Sequence, residues 1–125
     1  MDELPELAER LRPAYELFLG ELETHLTSFD EVGKKLNSIT DVEHLADYFK
    51  RIARKLERHF HLIKGGAGFL KLQAIAQIGG QGEKWFKSAS LTRDDLYDLK
   101  SEFAALIESL QEETDALRDL LRPKK

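Results

Sequence analysis

The 125-residue sequence contains no cysteine, which excludes a disulfide framework, a thiolate-held zinc site and reactive-thiol chemistry. It also lacks any apolar run near the roughly 20 residues that a transmembrane helix needs. Its first residues, Met1-Asp2-Glu3, are acidic where a signal peptide would be basic. We therefore expect a cytoplasmic protein that neither spans a membrane nor is exported. A chain of this length predicts one domain over residues 1–125, without room for a second, catalytic domain.

Proline is confined to the ends of the chain, at Pro5, Pro13 and Pro123, so no proline interrupts the sequence between them. Apolar residues recur there in steps of three and four, the spacing that places them on one face of a helix. This pattern predicts an all-α, up-and-down antiparallel four-helix bundle with a short extra helix over roughly residues 3–11. The four long helices are predicted over about residues 13–38, 41–69, 72–89 and 92–121.

Two capping signals mark where predicted helices begin. Thr40 and Glu43 have the spacing of a capping box, so Thr40 is predicted to cap the second helix. Thr92 and Asp95 predict a similar start for the fourth helix. Within the third helix, Gly79 lies where a neighbouring helix could come close.

Basic side chains are concentrated in one part of an acidic chain. The net charge is −4, yet residues 50–71 carry seven basic side chains and one acidic one, a local charge of +6. Such an asymmetry usually reports on a partner of the opposite charge. Nucleic acid is one candidate, but the overall acidity and the expected lack of exposed aromatic side chains argue against it.

The four histidines differ in their surroundings. On a helical wheel His61 lies about 130° from the centre of the apolar face, whereas His59 lies about 70° from it. His61 is therefore predicted to be exposed and His59 to be half-packed. His25 and His44 are predicted to be surface or boundary residues without a special role. Trp85 and the other aromatic residues are predicted to belong to the core.

Lys64 and three glycines follow His61 within two helical turns. The glycines are Gly65, Gly66 and Gly68. Together they weaken a helix interior by on the order of 3 kcal/mol relative to alanine. Either Gly65-Gly66 ends the helix as a C-cap, or the helix continues and its bare backbone lets the active site of another protein reach the ring. The core periodicity continues at Ala67, which favours the second interpretation, although spacing alone leaves both open.

The segment His61-Leu62-Ile63-Lys64-Gly65-Gly66-Ala67-Gly68-Phe69 resembles the His-x-x-Lys-Gly-x-Ala signature of histidine-containing phosphotransfer (HPt) domains. It is most similar to the version in the phosphotransfer domain of chemotaxis-type histidine kinases. Helix lengths and order are similar too, so the resemblance covers nearly the whole chain. It implies a phosphocarrier in a two-component phosphorelay, with His61 as the phospho-acceptor. In chemotaxis-type domains a glutamate 22 positions after the histidine hydrogen-bonds the imidazole, which implies that Glu83 orients the ring here.

The resemblance also implies roles for other residues and for partners. Lys64 would offset the charge of the phosphoryl oxygens. The partners would be the receiver domain of a response regulator and a sensor or hybrid histidine kinase. The residues expected to dock a partner are Arg54, Arg58, Leu62, Gly65 and Gly68. The family usually has glycine ten residues after the histidine, where this chain has Lys71, so the form of that turn is left open.

The sequence predicts a carrier without catalytic equipment of its own. It has no Gly-x-x-x-x-Gly-Lys loop for nucleotide phosphates, and its carboxylates are scattered along helix surfaces. We therefore expect no enzyme activity and no bound cofactor or metal, with ATP and Mg²⁺ held by the partners. We also expect a monomer that binds neither nucleic acid nor membrane. The alternative is an HPt-like module that is not phosphorylated and regulates a kinase or receiver domain by docking on it.

Overall fold

The structure is a computed structural model that describes residues 9–88 and 93–122. Its helices are α1 (Arg12–Ser38), α2 (Val42–Phe69), α3 (Gln73–Ser88) and α4 (Arg93–Leu121), which confirms the predicted all-α four-helix bundle. The predicted short helix over residues 3–11 falls almost entirely outside the described residues, as does the predicted cap at Thr92. Within these ranges no helix is both long enough and apolar enough to cross a bilayer.

Contacts between helix ends show that neighbouring helices are antiparallel. The hydroxyl of Tyr15, in the first turn of α1, donates to the carbonyl oxygen of Leu70, just after α2, at 3.2 Å. The ammonium of Lys100, near the start of α4, donates to the carbonyl oxygen of Ile39, just after α1, at 2.7 Å. The closest packing joins α2 to α3, and α1 packs mainly on α4. The bundle therefore has an α2–α3 face and an opposite α1–α4 face.

The centre of the core is a cluster of phenylalanines, one from each helix: Phe29, Phe60, Phe86 and Phe103. The ring centroid of Phe60 lies 4.9 Å from that of Phe29 and 5.9 Å from that of Phe86. Phe103 packs edge-on against Phe29, with centroids 5.8 Å apart. Truncating a buried phenylalanine costs about 3–5 kcal/mol, so this cluster is a major source of stability. Because Phe60 precedes His61, this cluster anchors α2 at the position of that histidine.

The start of α2 differs from the prediction by one residue. The helix begins at Val42, and its N-cap is Asp41, whose side chain accepts a hydrogen bond from the backbone N–H of His44 at 2.9 Å. The predicted cap at Thr40 is therefore wrong. Aspartate is as good an N-cap as threonine, and Asp41 stands one residue closer to the free amides of the first turn.

The end of α2 is a Schellman motif. The backbone N–H of Leu72 donates to the carbonyl of Ala67 at 2.8 Å, and that of Lys71 donates to the carbonyl of Gly68 at 3.2 Å. Lys71 has a φ of 60°, in the left-handed region. A residue with a Cβ atom pays about 1–2 kcal/mol there, whereas glycine does not. The sequence did not settle the form of this turn. In the structure it has the left-handed conformation that glycine favours, and Lys71 adopts that conformation with backbone strain.

Candidate functional site

The imidazole of His61 projects from α2 and is held by a carboxylate from α3. The side chain of His61 is 64% exposed, as its position on the helical wheel predicted. Its Nδ1 is hydrogen-bonded to Oε2 of Glu83. A carboxylate in this position favours the tautomer with hydrogen on Nδ1, which leaves the lone pair on Nε2. The structure thus brings together the two residues that the sequence connected only through a family resemblance.

The second oxygen of Glu83 is also occupied. The ammonium of Lys64 donates to Oε1 of Glu83 at 2.5 Å. The hydrogen bond from Lys64, and to a lesser extent that from His61, lowers the pKa of the Glu83 carboxyl, although partial burial opposes this shift. Glu83 is therefore ionised at neutral pH and bridges the two side chains. Lys64 thus binds the carboxylate that holds His61, and its ammonium retains two further N–H donors.

Close packing of α3 on α2 places Glu83 beside His61, and a glycine makes it possible. A Cβ atom at Gly79 would lie 2.7 Å from the backbone nitrogen of Lys64 and 2.9 Å from its Cα. Backbone atoms at that distance cannot give way, so only glycine fits without moving α3 outward. Glu83 follows Gly79 by one helical turn and therefore reaches the same part of α2. The prediction of a close helix approach at Gly79 is confirmed.

The glycines after His61 are of two kinds. A Cβ atom at Gly65 or Gly68 would meet nothing within 4 Å, whereas one at Gly66 would lie 2.6 Å from the ring of Phe18. Of these three glycines, only Gly66 is therefore required by the packing of the protein's own side chains. The alternative of a helix end at Gly65-Gly66 is wrong, because α2 continues to Phe69. Beyond His61, the helix presents bare backbone to solvent.

Two large apolar side chains are exposed on this part of α2. Leu62 is 55% exposed and Phe69 is 77% exposed, and the two are seven residues apart, on one face of the helix. Leu62 was among the predicted docking residues, but Phe69 was not. Tyr97 on α4 is also exposed, at 64%. The expectation that no aromatic side chain is exposed is therefore wrong. Spacing from Leu62 was the signal that could have identified Phe69.

On the N-terminal side of His61 lies an open recess of about 670 Å³, which we call the basic recess. It contains two of the predicted docking residues together with two residues that the sequence did not single out, Lys55 and Glu57. Its full lining is Arg54, Lys55, Glu57, Arg58, His61 and Glu83. Among residues 9–88 and 93–122, no group of three or more histidines and carboxylates could hold a metal ion.

The other histidines lie outside this site. His59 is half-buried, as predicted, and its Nδ1 lies 2.7 Å from Nδ1 of His25 on α1. Burial lowers the pKa of both imidazoles, and the charges of His25 and Lys55 lower that of His59 further. The prediction that His25 is a boundary residue is right, but its pairing with His59 was missed. His44 is an exposed residue next to Asp41, as predicted for the surface.

Comparison with known proteins identifies a family. A family model described as "Hpt domain" matches residues 1–120. The match takes in the whole site, from Arg54 to Glu83. No curated protein and no solved structure matches the chain at a significant level.

Proposed function

The chain belongs to the Hpt domain family, and from this premise we propose that His61 carries the phosphoryl group and exchanges it with the aspartate of a receiver domain. Domains of this family have a histidine phosphotransfer role in phosphorelays and are phosphocarriers rather than enzymes. The family interacts with histidine kinases and receiver domains. The narrower resemblance to chemotaxis-type domains stays a prediction.

The observation that carries the proposal is the hydrogen bond between His61 and Glu83 on an exposed ring. With hydrogen on Nδ1, the Nε2 lone pair is available to attack phosphorus. As the N–P bond forms, the P–O bond to the receiver aspartate breaks, and the aspartate leaves as a carboxylate. Positive charge develops on the ring during this step, and the ionised Glu83 stabilises it.

The partner supplies the rest of the chemistry under this proposal. Phosphoryl transfer depends mainly on in-line positioning and charge neutralisation, and we assign the Mg²⁺ that provides the latter to the receiver domain. The seven basic side chains of residues 50–71 complement an acidic, metal-binding pocket. The open backbone at Gly65 and Gly68 supports close approach of that pocket to the ring.

The direct test is transfer of labelled phosphate from a phosphorylated receiver domain or a histidine kinase. We expect acid-labile, base-stable phosphate on the wild-type protein and none on His61→Gln. The matched control is His44→Gln, which removes another exposed histidine and should still be labelled. A wild-type protein that binds the receiver without becoming labelled would support the alternative of a docking module. An undiminished label on His61→Gln would show that another residue carries the phosphate and would overturn the assignment to His61.

A second test addresses Glu83. Replacement by glutamine keeps an acceptor oxygen but removes the charge, and we expect transfer to slow by roughly ten- to hundredfold, the range for losing one charge-assisted hydrogen bond. Ring ¹⁵N shifts should show a smaller excess of the Nδ1–H tautomer of His61. Unchanged shifts and an unchanged rate would remove Glu83 from the site.

A further inference from the structure

The residue expected to neutralise the phosphoryl group already binds a carboxylate. Lys64 was assigned to the phosphoryl oxygens by family resemblance, yet its ammonium lies 2.5 Å from Oε1 of Glu83. Moving Lys64 to the phosphoryl group would leave one oxygen of a largely covered carboxylate without its donor, since the Glu83 side chain is only 18% exposed. A cation without a carboxylate partner could bind the phosphoryl oxygens without this loss.

Helix geometry indicates where that cation lies. Side chains of an α-helix lean toward its N-terminus, so the ring of His61 covers the turn that precedes it rather than the turn that follows. Arg58 stands one turn before His61, and Arg54 stands about two turns before it. Both line the basic recess together with His61, whereas Lys64 does not. The ring of His61 and both arginines therefore border the same open space.

The charges of the basic recess suit a phosphoryl group. Among the described residues, neither Arg54 nor Arg58 forms an ion pair. The recess also contains Lys55 and two carboxylates, those of Glu57 and Glu83, and Glu83 is already bound to Lys64. Guanidinium groups offer a planar pair of donors that matches two phosphate oxygens, which an ammonium group does not.

We propose that Arg58, with Arg54 behind it, binds the phosphoryl oxygens once Nε2 of His61 is phosphorylated, while Lys64 remains on Glu83 and fixes the carboxylate that orients the ring. Arg58 is thus a phosphoryl-binding residue and Lys64 is a positioning residue. This inference rests on the proposed function and specifies how the phosphorylated form is held.

The experiment uses phosphoramidate as a small phosphoryl donor, so that no partner protein contributes charges. Nε2 of His61 forms the N–P bond, the P–N bond of phosphoramidate breaks, and ammonia leaves. The second pKa of the attached phosphoryl group is then measured by ³¹P NMR in wild type, Arg58→Gln, Lys64→Gln and Arg51→Gln. Arg51 is the matched control, because it lies on α2 but about 15 Å of helix rise from His61, beyond the Debye length at physiological salt.

We expect Arg58→Gln to raise the phosphoryl pKa by roughly half a unit or more, the effect of a unit charge about 5 Å away in a water-like dielectric. Arg51→Gln should leave it nearly unchanged. In the wild type, phosphorylation should also shift the Nε–H resonance of Arg58 downfield, which a purely structural role would not do.

The outcomes separate this inference from the proposed function. Phosphorylated protein whose pKa responds to Lys64→Gln but not to Arg58→Gln, and whose Arg58 resonance does not move, would overturn the inference alone. A wild-type protein that takes no phosphoryl group from phosphoramidate or from a phosphorylated receiver would overturn the proposed function and the inference with it.

Discussion

Replacing Gly65 by alanine should stabilise the protein, while replacing it by leucine should impair phosphotransfer. Gly65 lies inside α2, and a Cβ atom there would meet nothing within 4 Å. Alanine is favoured over glycine in a helix interior by about 1 kcal/mol. For 125 residues the entropy of unfolding is roughly 260 cal/mol/K, so Tm should rise by about 4 °C.

The assay combines thermal unfolding, followed by circular dichroism, with the rate of phosphate transfer from a phosphorylated receiver domain. Gly20 provides the matched control, since it is an exposed glycine within α1 that also has nothing within 4 Å of an added Cβ. Gly20→Ala should raise Tm by a similar amount. Gly65→Leu should keep the helical content but slow transfer about tenfold or more, a loss of roughly 1.4 kcal/mol of transition-state stabilisation, whereas Gly20→Leu should transfer normally.

Two results would refute this reasoning. Suppose that Gly20→Ala raises Tm but Gly65→Ala does not. Gly65 would then have a packing role inside the protein, contrary to the open space observed around it. If Gly65→Leu transfers phosphate at the wild-type rate, the bare backbone beside His61 has no role in admitting a partner.

Three further predictions concern other parts of the structure. Gly79→Ala should destabilise the protein by up to about 2 kcal/mol, because overpacking against α2 outweighs the gain in helix propensity; an unchanged denaturation midpoint would contradict this. Lys71→Gly should stabilise it by about 0.5–1 kcal/mol by relieving the left-handed backbone, and Lys71→Ala, which keeps the Cβ atom, should not. The lowered pKa values of His25 and His59 mean that the unfolded chain binds more protons below pH 6.5. Their contribution to stability is therefore complete above that pH and is lost as the pH falls through the folded-state values. In urea titrations at pH 7.5 and 5, the free energy of unfolding of His25→Gln should depend less on pH than that of the wild type. An equally large loss of stability between the two pH values would exclude the His25–His59 pair as its cause.

The sequence predicted the helices well because their apolar faces repeat over many turns, so single ambiguous residues do not change the result. The prediction from sequence failed where a local rule was compatible with two different structures. Thr40 and Asp41 are adjacent and both suit an N-cap, and only the backbone decides between them. Gly65-Gly66 suits a C-cap, but Ala67 packs fully buried in the core and holds the chain in helix.

Contacts between helices were harder to predict than positions on one helix. Periodicity shows which face His59 occupies, but not that His25, 34 residues earlier, meets it. The bond between His61 and Glu83 was predicted from a family pattern, since no local rule connects residues on different helices. The contact between Lys64 and Glu83 was not predicted, because it depends on the close approach of α3 to α2 that Gly79 allows.

The contact between α2 and α3 has a consequence for how partners recognise this protein. At Gly79 the backbone of α3 lies against that of α2, and at Gly82 it lies against the ring of Phe60, so the two helices are in close contact. The hydrogen bond between His61 and Glu83 is therefore in place before any partner binds. Little conformational entropy is lost on this side when a complex forms. A partner that docks here would therefore meet an imidazole whose orientation is already set by the protein.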